Sequence, residues 1–226
     1  MNRVLWIILF LIILAANLTA VYLNNESLRY FTKPFMVISL VIYFISQTSF
    51  VQSGLKKWIL LALAFSLGGD IFLLFETKEP VFFLLGLSAF LIAHVFYIVF
   101  FHLIRIRENI AGNILLLLVV VVYYTALMTL LSPFLENMKL PVRIYGVVIS
   151  FMLLLALHTG FITNKKASLL MIIGAVLFII SDSLLALNKF YASFEPAGIS
   201  VMLTYGLAQL FIVEGAIKYI RGSVVK

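Results

Sequence analysis

The chain has no cysteine, which excludes disulfides, thiol nucleophiles and cysteine-based metal centres. Histidine is nearly as scarce: His94, His102 and His158 stand far apart and form no recognised metal-ligand spacing. Charged residues make up 11% of the 226, against about a quarter in an ordinary soluble domain. There is no phosphate-binding glycine loop and no hydrolase serine elbow. No low-complexity tract interrupts the chain, and linkers are too short to hold a separate soluble domain.

What remains is apolar. Hydrophobic residues account for 64% of the chain, and the mean hydropathy is +1.19. A helix needs about 20 apolar residues to cross the hydrocarbon core. Runs of that kind lie at 4–23, 34–51, 58–75, 81–103, 110–131, 142–162, 167–188 and 198–217. The expected fold is all-α, a polytopic membrane bundle of about eight transmembrane helices, with residues 1–226 forming a single integral membrane domain. The first run reads as an uncleaved anchor rather than a signal peptide. Pro34, Pro80, Pro133, Pro141 and Pro196 all fall at or near proposed span ends, so no span is expected to carry an internal proline.

The net charge of +7 suggests nucleic acid at first sight. Spread along loops between apolar runs, it reads instead as a topology signal, and no nucleic-acid partner is expected. Arg3, Lys56, Lys57, Arg105, Arg107, Lys165, Lys166, Lys218, Arg221 and Lys226 fall on one side. Arg29, Lys33, Lys78, Lys139, Arg143 and Lys189 fall on the other. The richer side holds both termini, which are expected in the cytoplasm. A bacterial inner membrane is the expected location.

Two acids break the apolar pattern. In "SLGGDIFLLF", Asp70 is the one ionisable residue between Lys57 and Glu76; in "IISDSLLALNKF", Asp182 holds a matching place in span seven. Each span begins at a Lys-Lys pair. At 1.5 Å per residue, Asp70 lies about 20 Å above Lys57 and Asp182 about 24 Å above Lys166, both in the outer half of the membrane. Their likeness suggests two four-helix halves related in parallel. Ala62, Ser66, Gly69 and Asp70 form a small-residue stripe, and Ala175, Phe178, Asp182, Ala186 and Lys189 form its counterpart. Intramembrane acids are costly unless they face the bundle interior, so they read as functional; structural hydrogen-bond anchors are the alternative, including a pairing of one acid with Lys33.

Other polar residues share that layer or lie close to it. Asn17, Tyr123, Tyr124 and Tyr205 are candidates for lining a cavity, and Tyr145 stands near the outer start of span six. His94 and Tyr97 share a face of span four, with His94 expected below the acids and touching at most one of them. Tyr205 and Gln209 share a face of span eight. His102, Arg105 and Arg107 read as a cytoplasmic rim, His158 as interfacial, and Glu214 as the ion-pair partner of Lys218.

The chain resembles the YhhN-like lysoplasmalogenase family through "KPFM", "FSLGGDIFLLF", "HVFY", "GAVLFIISDSLLALNKF" and "TYGLAQLFIVEG". These occur in the family's order across about residues 33–215, and spans one, five and six match in hydropathy alone. The resemblance implies an eight-span enzyme that hydrolyses the vinyl ether bond of lysoplasmalogens to a fatty aldehyde and a glycerophospho-ethanolamine or -choline. It implies a lysophospholipid substrate, with membrane lipid as its surroundings, and no metal or organic cofactor. The family positions are Lys33, Asp70, His94, Tyr97, Asp182 and Gln209.

An enol ether hydrolyses after protonation of its β-carbon and capture of the resulting oxocarbenium ion by water. That chemistry calls for one carboxylic acid and one carboxylate, as glycoside cleavage does. Burial disfavours the carboxylate form, and a neighbouring carboxylate disfavours it further. Asp70 and Asp182 are therefore expected to act as catalytic residues sharing a proton, their titration belonging to the pair. Lys33 suits the substrate phosphate, with Arg29 as the weaker candidate and snorkelling as the bland alternative for Lys33. A proton-coupled transporter is the main rival. An intramembrane aspartyl protease fits less well, because Leu67-Gly68-Gly69-Asp70 lacks the Gly-x-Gly-Asp spacing.

Overall fold

A computed structural model describes residues 2–222; Lys226, counted above for topology, lies outside the described residues. Among the described residues, eight helices are long and apolar enough to cross a membrane. They are α1 (Arg3–Tyr22), α2 (Glu26–Thr48), α3 (Lys56–Leu74), α4 (Pro80–Arg107), α5 (Ile114–Leu131), α6 (Lys139–His158), α7 (Lys165–Ala186) and α8 (Ala197–Gly222). Helix α7 runs straight into a π-helical turn, Leu187–Tyr191.

Asparagine sets several of the starts. Asn25, Asn113 and Asn164 each accept a hydrogen bond from a backbone N–H in the first turn of α2, α5 and α7, satisfying donors that the helix itself leaves orphaned. Pro80 opens α4, where its missing N–H costs nothing.

One proline departs from expectation. Helix α2 begins eight residues before Pro34, so that proline lies inside a span. The Asn25 cap nucleates the helix in the polar stretch ahead of the apolar run, and Lys33 is thereby carried into the bundle on a helical turn.

Helices α1, α2, α3, α4, α6, α7 and α8 follow one another in a closed ring of contacts, while α5 packs outside on α6. The tightest pairs are α3–α4 and α7–α8. Glycine permits both. A Cβ on Gly174 would lie 2.8 Å from the Ile212 backbone nitrogen and 2.9 Å from the Ala208 carbonyl oxygen; one on Gly215 would lie 2.9 Å from the Ala167 carbonyl oxygen. Between α3 and α4 the glycines make room for side chains instead: a Cβ on Gly69 would lie 2.6 Å from the Phe90 ring, and one on Gly86 2.7 Å from the Leu73 side chain. With no hydrophobic drive between helices in lipid, such close approach supplies the packing contact.

Buried side chains of the ring helices form one large apolar core, and a smaller cluster lies where α5 meets α6. Leu118, Val119, Val121 and Val122 on the outside of α5 are exposed, as a lipid-facing helix requires.

The end of the bundle where α1 begins carries its own polar knot. Glu214 of α8 accepts from Arg3 of α1 and from the Tyr43 hydroxyl of α2. This corrects the expected Glu214–Lys218 pair: α8 turns Glu214 inward, where it is 4% exposed. His158 is corrected too. It is buried, with Nδ1 2.7 Å from the Leu154 carbonyl and Nε2 accepting from the Asn113 backbone N–H at 3.2 Å. It ties the end of α6 to the start of α5.

Candidate active site

Asp70 is 1% exposed. Its Oδ2 accepts from the Tyr205 hydroxyl at 2.7 Å, and its Oδ1 lies 3.5 Å from Lys33 Nζ. Lys33 is itself buried, so it does not snorkel, and its ammonium faces Asp70 at the cavity wall. Its ammonium compensates a charge that the interior would otherwise make costly. Behind Tyr205 the polar chain continues into the core: Gln209 Nε2 donates to the Tyr205 oxygen at 3.4 Å, and Gln209 Oε1 accepts from the Tyr97 hydroxyl at 2.5 Å. Buried polar groups need partners, and this chain supplies them across α8 and α4.

Asp182 has different company. Its Oδ2 accepts from the Tyr145 hydroxyl at 2.5 Å and lies 3.2 Å from His94 Nε2. His94 Nε2 is also 3.0 Å from the Tyr145 oxygen, closing a three-membered cluster. His94 Nδ1 is buried without a hydrogen-bond partner. Among the described residues His94 reaches Asp182 and not Asp70.

Both carboxyls line one cavity of about 190 Å³ at the end of the bundle where α2 begins and α7 runs into its π-helical turn, together with Lys33, Tyr145 and Tyr205. No hydrogen bond joins the two carboxyls among the described residues; each is held by its own partners. His94, Tyr97 and Gln209 sit behind the wall as supports. Asn17, Tyr123 and Tyr124 are outside it. Asn17 donates to Thr32 at 2.9 Å, Tyr123 bonds Ser183 at 2.8 Å beside Asp182, and Tyr124 packs on Gly146. Depth alone placed these three with the acids, and depth does not fix which way a side chain points. The cavity wall also holds Glu76 and Asn188, which the sequence alone does not single out.

Residues 28–216 match the YhhN family. The chain belongs to that family. It is 32% identical over 166 residues to the protein named lysoplasmalogenase TMEM86B of Rattus norvegicus, a match covering 73% of this chain and 64% of the relative. It is 31% identical to the human protein of that name, over 70% of this chain and 62% of the relative. A protein named lysoplasmalogenase from Mycobacterium bovis is 29% identical, over 71% of this chain and 60% of the relative. The chain thus spans somewhat less than two thirds of the length of these relatives. No solved structure matches. Within the YhhN chain, all residues of both carboxyl clusters fall inside the matched stretch, whereas α1 precedes it.

Proposed function

We propose that this YhhN protein hydrolyses the vinyl ether bond of lysoplasmalogens, releasing a fatty aldehyde and a glycerophospho-ethanolamine or -choline. The observation that carries this reading is that Asp70 and Asp182, from two different helices, line one cavity in a chain whose relatives are named lysoplasmalogenases. The transporter reading has no comparable support.

The surroundings of the two acids support a division of roles. Asp70 beside the Lys33 ammonium is the carboxylate. Asp182, which has no lysine or arginine at ion-pair distance among the described residues, is the acid. Asp182 gives its proton to the β-carbon of the enol ether while the double-bond electrons move to that carbon. The positive charge left on the ether-bearing carbon faces the Asp70 carboxylate, which also accepts a proton from the attacking water. The hemiacetal so formed then collapses: its hydroxyl proton goes to the Asp182 carboxylate as the carbonyl forms, and Asp70 returns its proton to the departing glycerol oxygen, which restores both groups. Tyr145 and His94 position the acid, and Tyr205 positions the carboxylate.

The single membrane domain, its two parallel four-helix halves and the cytoplasmic termini belong to the same reading. The paired tight contacts α3–α4 and α7–α8 support the halves, and the lysine and arginine bias supports the orientation. A helical bundle, rather than a β-barrel, suits a bacterial inner membrane.

The test is purified protein in detergent, given a lysoplasmalogen and a 1-acyl lysolipid of the same headgroup. Aldehyde released from the first alone is the expected result. No aldehyde under conditions where the protein remains folded overturns the reading.

A further inference from the structure

The chemistry above leaves three charged side chains at the cavity mouth without a part: Arg29, Glu76 and Lys189. Arg29 and Glu76 line the cavity wall, and together they also flank a smaller recess beside it. Lys189, on the π-helical turn, places its Nζ 3.3 Å from Glu76 Oε2 and 4.6 Å from the centre of the Phe83 ring, which lines the cavity as well. Charge pairing on this wall is uneven. Lys33 is committed to Asp70 and Lys189 to Glu76. Arg29 makes no ion pair among the described residues. It is a half-buried guanidinium at a cavity, and its planar fork suits a phosphate better than the already engaged Lys33.

We propose that this mouth is a zwitterion site in which Arg29 takes the phosphodiester and Glu76 with Phe83 takes the ammonium of an ethanolamine headgroup; the proposal rests on the lysophospholipid reading above. Lys189 is the internal stand-in. A carboxylate on one side and an aromatic face on the other already hold a primary ammonium here, and the headgroup amine replaces it while Lys189, 41% exposed at its side chain, swings to water. A primary ammonium donates hydrogen bonds to Glu76 as Lys189 does; a trimethylammonium has no N–H to donate. The site therefore prefers ethanolamine to choline.

Binding of lipids that cannot be cleaved tests this independently of turnover. The probes are 1-O-alkyl glycerophosphoethanolamine, the matching choline and bare phosphate lipids, and 1-O-alkyl glycerol, titrated calorimetrically in detergent. The expected order is ethanolamine first and alkyl glycerol last. Arg29→Gln weakens every phosphate-bearing probe by about tenfold and leaves alkyl glycerol unchanged. Glu76→Gln brings ethanolamine down to the level of choline. Lys189→Gln tightens the ethanolamine probe. Phe83→Leu weakens the ethanolamine and choline probes and leaves the bare phosphate probe unchanged, which keeps the test open should Glu76→Gln not fold. Unchanged affinities in Arg29→Gln, an intact ethanolamine preference in folded Glu76→Gln, or unchanged ethanolamine and choline affinities in folded Phe83→Leu overturn the site. A protein that ranks the probes as expected yet cleaves no vinyl ether sinks the hydrolase reading alone; one that cleaves but ranks them all equally sinks the site alone.

Discussion

Lys33 of α2 reaches across to Asp70 of α3, with both side chains closed off from the bundle surface and 3.5 Å between Nζ and Oδ1. Breaking a buried ion pair from one side leaves the other charge stranded, at a cost of about 3–5 kcal/mol. Lys33→Met should therefore lower thermal stability strongly and abolish aldehyde release. Adding Asp70→Asn should recover most of the stability and none of the activity. A stable Lys33→Met single variant would remove the electrostatic link between these helices.

Asp182→Asn and Asp70→Asn should each cut aldehyde release at least about a hundredfold, in the range set by loss of general acid–base catalysis. Thermal melts in detergent serve as the control for folding. Near-normal turnover in either variant would eliminate that residue from the reaction.

Proton delivery to carbon leaves a record in the product. In D2O, the aldehyde should carry one solvent deuterium on the carbon next to its carbonyl, and its oxygen should come from water. Mass spectrometry reads both. An aldehyde without the carbon-bound deuterium would exclude β-carbon protonation.

Tyr145→Phe removes the hydroxyl that bridges His94 and Asp182. Loss of a hydrogen bond to a charged or reacting group is worth about 1.5–3 kcal/mol, so kcat should fall about tenfold to a hundredfold with KM little changed. Gln209→Leu lies further off: it strands the Tyr97 hydroxyl, and stability should drop by about 1–3 kcal/mol with a smaller change in rate. A KM effect in Tyr145→Phe without a kcat effect would argue against a positioning role.

Close helix packing makes its own forecast. Gly174→Val drives a side chain into the backbone of α8 and should prevent a stable fold, whereas Gly68→Ala, with open space around it, should be tolerated. Comparable melting temperatures for the two would contradict the α7–α8 contact.

Much of this molecule can be read from its residues because lipid is an unforgiving solvent. Eight apolar runs give eight helices, and Asp70 and Asp182 stand out because nothing else in their spans carries charge. Their partners are harder to see. Tyr145 and Tyr205 are two among ten tyrosines, and only the ring order of the helices decides which of them reach the acids. Glu214 shows the limit: Lys218 is the obvious neighbour by helical spacing, yet its partner Arg3 is 211 positions away. The role of Glu76 depends on a π-helical turn, for which the sequence carries no periodic signal.

The knot of Arg3, Tyr43 and Glu214 has a consequence for biogenesis. Helices α1 and α2 are made before α8, so an arginine and a tyrosine wait for a carboxylate that arrives only with the eighth helix. Until then the ring of helices has a gap between α1 and α7. A product cut short before Glu214 would leave the Arg3 guanidinium without that carboxylate.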